Sequence, residues 1–223
     1  MTPPEPTRLF HITALANLQQ ILQFGGIDSK NRGAAKGINY VNIAHQNLQS
    51  VRAGKGVPTP PGGVVHDYVP FYFAPRSPML SAIHNGTVAG CNLGQDQIIH
   101  FETTVDLVCA NGSPFVFYDR NASLGYSMPY TNLNELTQIS WNLLLEPPTL
   151  DGFCKYFFDR HTPPRYMDRC ERRMAEFHVS DFVPLAEFTR IGVYDENIQA
   201  QAANLMRQFG VNLPVQVIKD WYF

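Results

Sequence analysis

The sequence predicts an α+β fold, a twisted and mostly antiparallel set of short strands with helices on its flanks. Three observations point there. Short apolar runs of strand character alternate irregularly with stretches of helical spacing. No internal repeat or low-complexity tract interrupts them. The length of 223 residues and the apolar fraction of 44% suit one globular unit with a substantial core, which assigns residues 1–223 to a single domain.

Taken in order, RLFHIT at residues 8–13 reads as a strand. Leu15, Leu18, Ile21 and Leu22 then fall at helical spacing, and Gly25-Gly26 supplies a helix stop. Residues 29–66 are rich in Gly, Asn, Lys and Pro, with a short helix predicted over 41–52 and a loop at GKGVPTPPGG. A connection of this length inside a compact unit is usually functional. YVPFYF at 68–73 reads as an aromatic strand whose Pro70 suggests an edge or a bulge. Ser77 and Pro78 open a helix as cap and first residue. Residues 98–108 alternate as a strand, 110–132 read as irregular, and 134–145 and 153–159 read as helical. Residues 171–178 followed by FVPL, 190–194 and 215–217 read as strands, with a helix over 196–209 between the last two.

Composition excludes several classes. No run is apolar for the roughly 20 residues that a membrane helix needs. The proline-rich start lacks a basic-then-apolar leader, so a cytoplasmic protein is expected. Cys91, Cys109, Cys154 and Cys170 form no C-x-x-C pair, and the seven histidines show no ligand spacing, so no metal is expected. The net charge of −2 argues against bulk electrostatic binding of nucleic acid. Its distribution is uneven. Residues 1–80 hold seven Lys/Arg against three acids, residues 81–150 hold only Arg120 against six acids, and Arg160, Arg165, Arg169, Arg172 and Arg173 cluster later. Two separated basic stretches can converge on one anion-binding cleft or remain solvated faces.

Three segments offer chemistry, each with a plain structural alternative. His11 and Thr13 lie where a strand meets a helix and can hold a small ligand or serve the core. Tyr68, Phe71, Tyr72 and Phe73 can stack a planar ring or simply pack. Glu176, in the apolar strand RRMAEFHV, is costly to bury unpaired, so it is either a site residue or the partner of Arg172 or Arg173. Arg52, by pattern alone, is one surface arginine more.

RLFHIT with NLQQIL, DYVPFYFAPRSPML, YDRNAS, RRMAEFHV, FVPL and the terminal DWYF occur in one order. This order resembles the DarT family, the DNA ADP-ribosyltransferase toxins of bacterial toxin–antitoxin pairs, over nearly the whole chain. There is a fainter likeness to the wider ADP-ribosyltransferase and poly(ADP-ribose) polymerase superfamily at His11 with Thr13, at Tyr72-Phe73-Ala74 with Ser77, and at Glu176. The resemblance implies central β-sheets split by an NAD-binding cleft, with NAD+ as co-substrate and no metal. It implies that His11, Ile12, Thr13, Gln20, Asp28, Tyr72 and Ser77 meet the cofactor. The element at 30–56 would close over it and bring in Arg52, with Arg76 competing for the phosphate role. Glu176 would hydrogen-bond the nicotinamide ribose and stabilise the charge that forms as nicotinamide leaves, so Arg52 and Glu176 are the expected catalytic pair.

The segment from about 132 to 176 matches the family's substrate-recognition region, and the tract from 118 to 130 matches only loosely. The implied acceptor is a base of single-stranded DNA, thymine before guanine. The implied partner is a DarG-type macrodomain antitoxin, for a monomeric bacterial cytoplasmic toxin ending without a fused second domain. An acceptor on protein or RNA is the alternative within the fold. A non-catalytic NAD- or nucleic-acid-binding module is the alternative outside it, and the joint presence of Arg52 and Glu176 weighs against that.

Overall fold

The computed structural model describes residues 2–145 and 168–223. Ten strands and eight α-helices occur among them: β1 (Arg8–Ala14), α1 (Leu18–Gln23), β2 (Gly26–Asp28), α2 (Lys30–Ala35), α3 (Gln46–Gly54), β3 (Tyr68–Tyr72), α4 (Pro78–His84), β4 (Ile98–Thr104), α5 (Val105–Cys109), β5 (Phe115–Tyr118), β6 (Pro129–Tyr130), α6 (Trp141–Leu144), α7 (Arg169–Arg173), β7 (Glu176–Ser180), β8 (Phe182–Pro184), β9 (Arg190–Val193), α8 (Glu196–Gln208) and β10 (Val215–Val217). The main sheet runs β10-β9-β4-β1-β3-β7-β5-β6, and β2 pairs with β8 beside it. β9 and β10 run parallel, and every other described pairing is antiparallel. The fold is thus the α+β arrangement that the sequence predicts. No described helix is long and apolar enough to cross a membrane.

Local chemistry sets the element ends. Gly25 stops α1 at φ +74°, a conformation that a side chain resists. The Ser77 hydroxyl accepts from the Leu80 N–H at 3.1 Å, with Pro78 in the first turn of α4. Asp195 caps α8 by accepting from the Ile198 N–H at 2.9 Å.

Several expected boundaries shift. The predicted helix over 41–52 is α3, five residues later at its start, and the preceding stretch also forms β2 and α2. The strand expected over 98–108 ends at Thr104, whose hydroxyl accepts from the Leu107 N–H and turns the chain into α5. Residues 110–132 are not wholly irregular, because β5 and β6 build one edge of the sheet. The helix expected over 134–145 is a 3₁₀ stretch and then α6, broken where buried Ile139 turns extended and inward. The strand expected from 171 begins only at Glu176, after α7. The helix expected over 153–159 lies outside the described residues, as do Cys154, Arg160 and Arg165.

Alternation along the strands sorts the core. One cluster takes Leu9, Val69, Phe71, Phe101, Phe117, Phe177 and Ile191 from the sheet, with Leu18 and Ile21 of α1 and Ile198, Ala202 and Met206 of α8. Another takes Phe10 and Ile12 with Leu80 and Ile83 of α4 and the terminal Trp221 and Tyr222. Trp221 lies so close on β9 that a Cβ at Gly192 would sit 2.1 Å from its ring. A small third cluster joins Val57, Val65, Tyr68, Val116, Tyr118 and Ala122 under the segment after α3.

β3 is not the edge strand that Pro70 suggests. It lies between β1 and β7, paired to β7 from Tyr68–Ser180 to Tyr72–Glu176, but it meets β1 only at Phe10–Tyr72. A residue in a strand points its N–H and C=O to the same neighbour. The Pro70 carbonyl accepts from His11 Nδ1 on β1 at 2.8 Å, so its missing N–H faces the β1 side. The proline is tolerated because the ladder is open there, and the sheet is split between β1 and β3.

Candidate active site

A cavity of about 370 Å³ sits at this split. His11, Thr13 and Asn17 line it from β1 and the following turn, and Asp28, Ser29 and Lys30 from the β2–α2 corner. Arg52 of α3, His66, and Tyr68, Pro70 and His178 of the sheet close the other side. Period-two geometry explains the membership. Tyr68, Pro70, Tyr72, Glu176, His178 and Tyr118 share one face of β3, β7 and β5, and α3 with its following segment packs over that face.

Glu176 anchors the site. It is 1% exposed, and its Oε2 accepts from Arg52 at 2.5 Å, from the Ala122 N–H at 3.1 Å and from His178 Nε2 at 3.1 Å. Its Oε1 is buried with no hydrogen-bond partner among the described residues. Burial pushes the carboxyl pKa up, but the Arg52 charge, His178 and the Ala122 N–H outweigh it and hold the pKa at about 2. Burial likewise opposes the charge on Arg52, and the Glu176 carboxylate more than restores it, so its pKa lies above the ordinary arginine value. Tyr72 and Tyr118 flank the pair as the register partners of Glu176. Burial, with the Glu176 charge adding to it, raises both hydroxyls, Tyr118 to about 12.

The partner of Glu176 is therefore Arg52, not Arg172 or Arg173. Arg172 pairs with Asp168 at 2.9 Å, and Arg173 donates to the Leu143 carbonyl. Arg52 is not the surface arginine its pattern suggests, since its side chain is only 13% exposed. Its rival Arg76 lies outside the cavity lining, with its guanidinium over the Phe223 ring.

The cavity wall carries more positive than negative influence near Arg52. Burial and the Arg52 charge lower the pKa of Lys30, whose Nζ donates to Gln49 Oε1 at 2.5 Å. Burial, with Lys30 and Arg52 adding, lowers His66 to about 4. His11 falls to about 4 because it is buried, despite the Pro70 carbonyl, and so stands as a neutral imidazole with Nδ1 as donor. At the far end Asp28 Oδ1 takes Arg32 at 2.8 Å and Lys36 at 2.7 Å, while Oδ2 is buried without a partner among the described residues.

Of the expected cofactor residues, His11, Thr13, Asp28 and Arg52 line the cavity. Glu176 and Tyr72 lie behind Arg52. Ile12 packs in the cluster with α4, Gln20 lies off the lining, and the Ser77 hydroxyl is taken by its helix. Asn17, Lys30, His66 and His178 also line the cavity and are not among the expected site residues. His178 leaves a signal in the sequence, because a histidine two residues after a strand glutamate must share its face, and Lys30 belongs to the basic excess of residues 1–80. On the loosely matching tract, Arg120 bridges Asp119 and Asp168, and Tyr126, 58% exposed, donates to Glu171 at 2.6 Å.

This geometry has counterparts. The family described as "ssDNA thymidine ADP-ribosyltransferase, DarT" matches residues 10–223. A DNA ADP-ribosyl transferase of Thermus sp. (strain 2.9) is 37% identical, covering 100% of this chain and 99% of its own. The structure of Thermus sp. 2.9 DarT in complex with ADP-ribosylated ssDNA superposes with a TM-score of 0.87 at 34% identity, covering 100% of this chain and 99% of that one. The same protein in complex with NAD+ gives 0.82 at 34%, with both chains covered fully. A Thermosipho africanus DarTG in complex with ADP-ribose shares the fold alone, at 17% identity and a TM-score of 0.74, over 97% of this chain and 51% of that one. The chain belongs to the DarT family.

Proposed function

We propose that this chain transfers the ADP-ribose of NAD+ onto thymine in single-stranded DNA and releases nicotinamide. The observation that carries this is the buried Arg52–Glu176 pair, 2.5 Å apart, at the cavity in the split sheet of a DarT-family chain. A thermodynamically costly buried pair with one oxygen left unbonded is what a site for a developing cation requires.

The bond between C1″ of the ribose and the nicotinamide nitrogen breaks, and nicotinamide leaves with its electron pair. A thymine ring nitrogen bonds to C1″ and its proton passes to solvent water. Glu176, ionised throughout the physiological range, offers Oε1 to a ribose hydroxyl and its charge to the cationic transition state. Arg52 stays protonated because its pKa is raised, so it serves as a positive charge for the diphosphate rather than as the base that takes the thymine proton. Lys30 adds to that field. His11, Thr13 and Asp28 provide polar atoms for the nucleotide, with Tyr72 supporting the pair. Gln20, Ile12 and Ser77 would act through backbone or neighbours. Single-stranded DNA suits the site, because a paired base costs a few kcal/mol to flip.

The same proposal takes residues 1–223 as one unit that needs no metal, works in the bacterial cytoplasm as a monomer, and meets an antitoxin of the DarG type. The test is incubation with NAD+ and single-stranded oligonucleotides, each lacking one base type, followed by mass spectrometry. One ADP-ribose mass on only the thymine-containing strands is expected. Adducts on protein or RNA alone would move the acceptor and leave the cofactor in place.

A further inference from the structure

β7 carries two titratable side chains on one face, Glu176 and His178. His178 is buried, lines the cavity and sets its Nε2 3.1 Å from Glu176 Oε2. The rings of Tyr118 and Tyr68 meet it edge-on, with centroids 5.6 and 6.4 Å away. Its Nδ1 is buried without a partner among the described residues. An ionised carboxylate only accepts, so Nε2 carries the proton. A second proton at Nδ1 would be a buried donor with nothing to receive it, close to the Arg52 cation. Burial, with the Arg52 charge adding, lowers the pKa of this imidazole despite the Glu176 carboxylate, which agrees with the neutral form.

We propose that His178 is a positioning residue for Glu176: with Arg52 and the Ala122 N–H it fills Oε2 with donors, so that Oε1 is the oxygen left to meet the ribose. This rests on the role given to Glu176 above. Arg52 stands on a helix over the sheet, and its guanidinium is shared once a diphosphate enters. His178 is fixed on the same strand as the glutamate, and Ala122 is held on the segment after β5. Those two donors keep the carboxylate oriented whichever way Arg52 turns.

The test is steady-state kinetics with NAD+ and a thymidine-containing single-stranded oligonucleotide on His178→Leu, His178→Gln and Glu176→Gln. Leucine fills the space without a donor, whereas a glutamine amide nitrogen reaches the place of Nε2. His178→Leu is expected to lose about 10- to 100-fold in kcat, with KM for NAD+ changed by about twofold or less. His178→Gln is expected to restore most of the rate. Parental turnover by His178→Leu, or a His178→Gln as slow as the leucine variant, overturns the proposal. If melting shows His178→Leu to be unfolded, His178→Asn replaces it, since its amide falls near Nδ1 instead. Glu176→Gln separates the layers. An active Glu176→Gln removes the role of the glutamate and the proposal with it, whereas an inactive one beside a fully active His178→Leu removes the proposal alone.

Discussion

On one side β1 is laddered to β4 along its whole length, from Arg8 facing Thr104 to Ala14 facing Ile98. On the other it meets β3 only where Phe10 faces Tyr72. At the closed seam the buried side chains of Glu102 and His100 are answered. Glu102 takes Arg8 and Arg190, and His100 lies 3.1 Å from the Pro75 carbonyl and 3.2 Å from the Tyr222 hydroxyl. At the open seam, Asp28 Oδ2, Arg52 Nε, His66 Nε2, Tyr118 Oη, Glu176 Oε1 and His178 Nδ1 are buried without partners among the described residues. A buried group of this kind costs about 1–3 kcal/mol until water or a ligand meets it. One strand therefore divides the molecule into a side that stabilises and a side that holds polar atoms ready for a ligand.

The sharpest way to break that division is Glu176→Gln. It is nearly isosteric and keeps one carbonyl acceptor for Arg52, but it removes the charge that the proposed mechanism sets against the developing cation. Turnover should fall by about 100- to 1000-fold while NAD+ still binds, as calorimetry would show. Parental turnover would mean that the open seam's polar groups are structural like those of the closed seam. Acid probes both seams at once. His11 and His100 each titrate near 4 in the folded chain, both because of burial, against an ordinary 6.5. The unfolded chain then binds more protons between those values, so stability drops as pH falls from 6.5 toward 4, by up to about 1.4 kcal/mol per pH unit for each group. Glu176 loses its own contribution only lower, as pH falls below its ordinary value toward about 2. Denaturant midpoints at pH 7 and pH 5 measure the loss, and a flat profile would show that the histidines are not buried as neutral rings.

How much of this was legible depends on the range over which each signal acts. The strands over RLFHIT, YVPFYF and 190–194, and the capped helix at Ser77, are local patterns, and they appear where expected. Pro70 suggests an edge or a bulge, whereas β3 is an internal strand with an open ladder toward β1. Whether the open side is an edge or an internal split depends on β1, some sixty residues away, and pattern cannot show it. Arg52 looked like any surface arginine because its burial comes from Glu176, 124 residues later in the chain. The resemblance to a family supplied that pair, and spacing alone did not. The basic excess in residues 1–80 did mark a real feature, since Lys30 and Arg52 converge on the cavity, whereas Arg32 and Lys36 are held by Asp28. His178 is legible from strand periodicity, since it shares a face with Glu176 two residues before it.

The smallest expected effect tests whether the two sides are mechanically independent. Asp195 caps α8 on the closed side, and Asp195→Ala leaves the Ile198 N–H without its acceptor. The loss should be about 1 kcal/mol, or roughly 2–4 °C in melting temperature, with kcat and KM unchanged. α8 still has one route to the cleft. Its Ile198, Ala202 and Met206 belong to the same core cluster as Ile21 of α1, and Ile21 lines the cavity. If Asp195→Ala slows turnover as well as lowering the melting temperature, strain passes along that packed route, and the closed side then also sets the shape of the cleft. If only the melting temperature moves, fraying at the end of α8 is absorbed before it reaches α1, and the division drawn by β1 holds for motion as well as for hydrogen bonding.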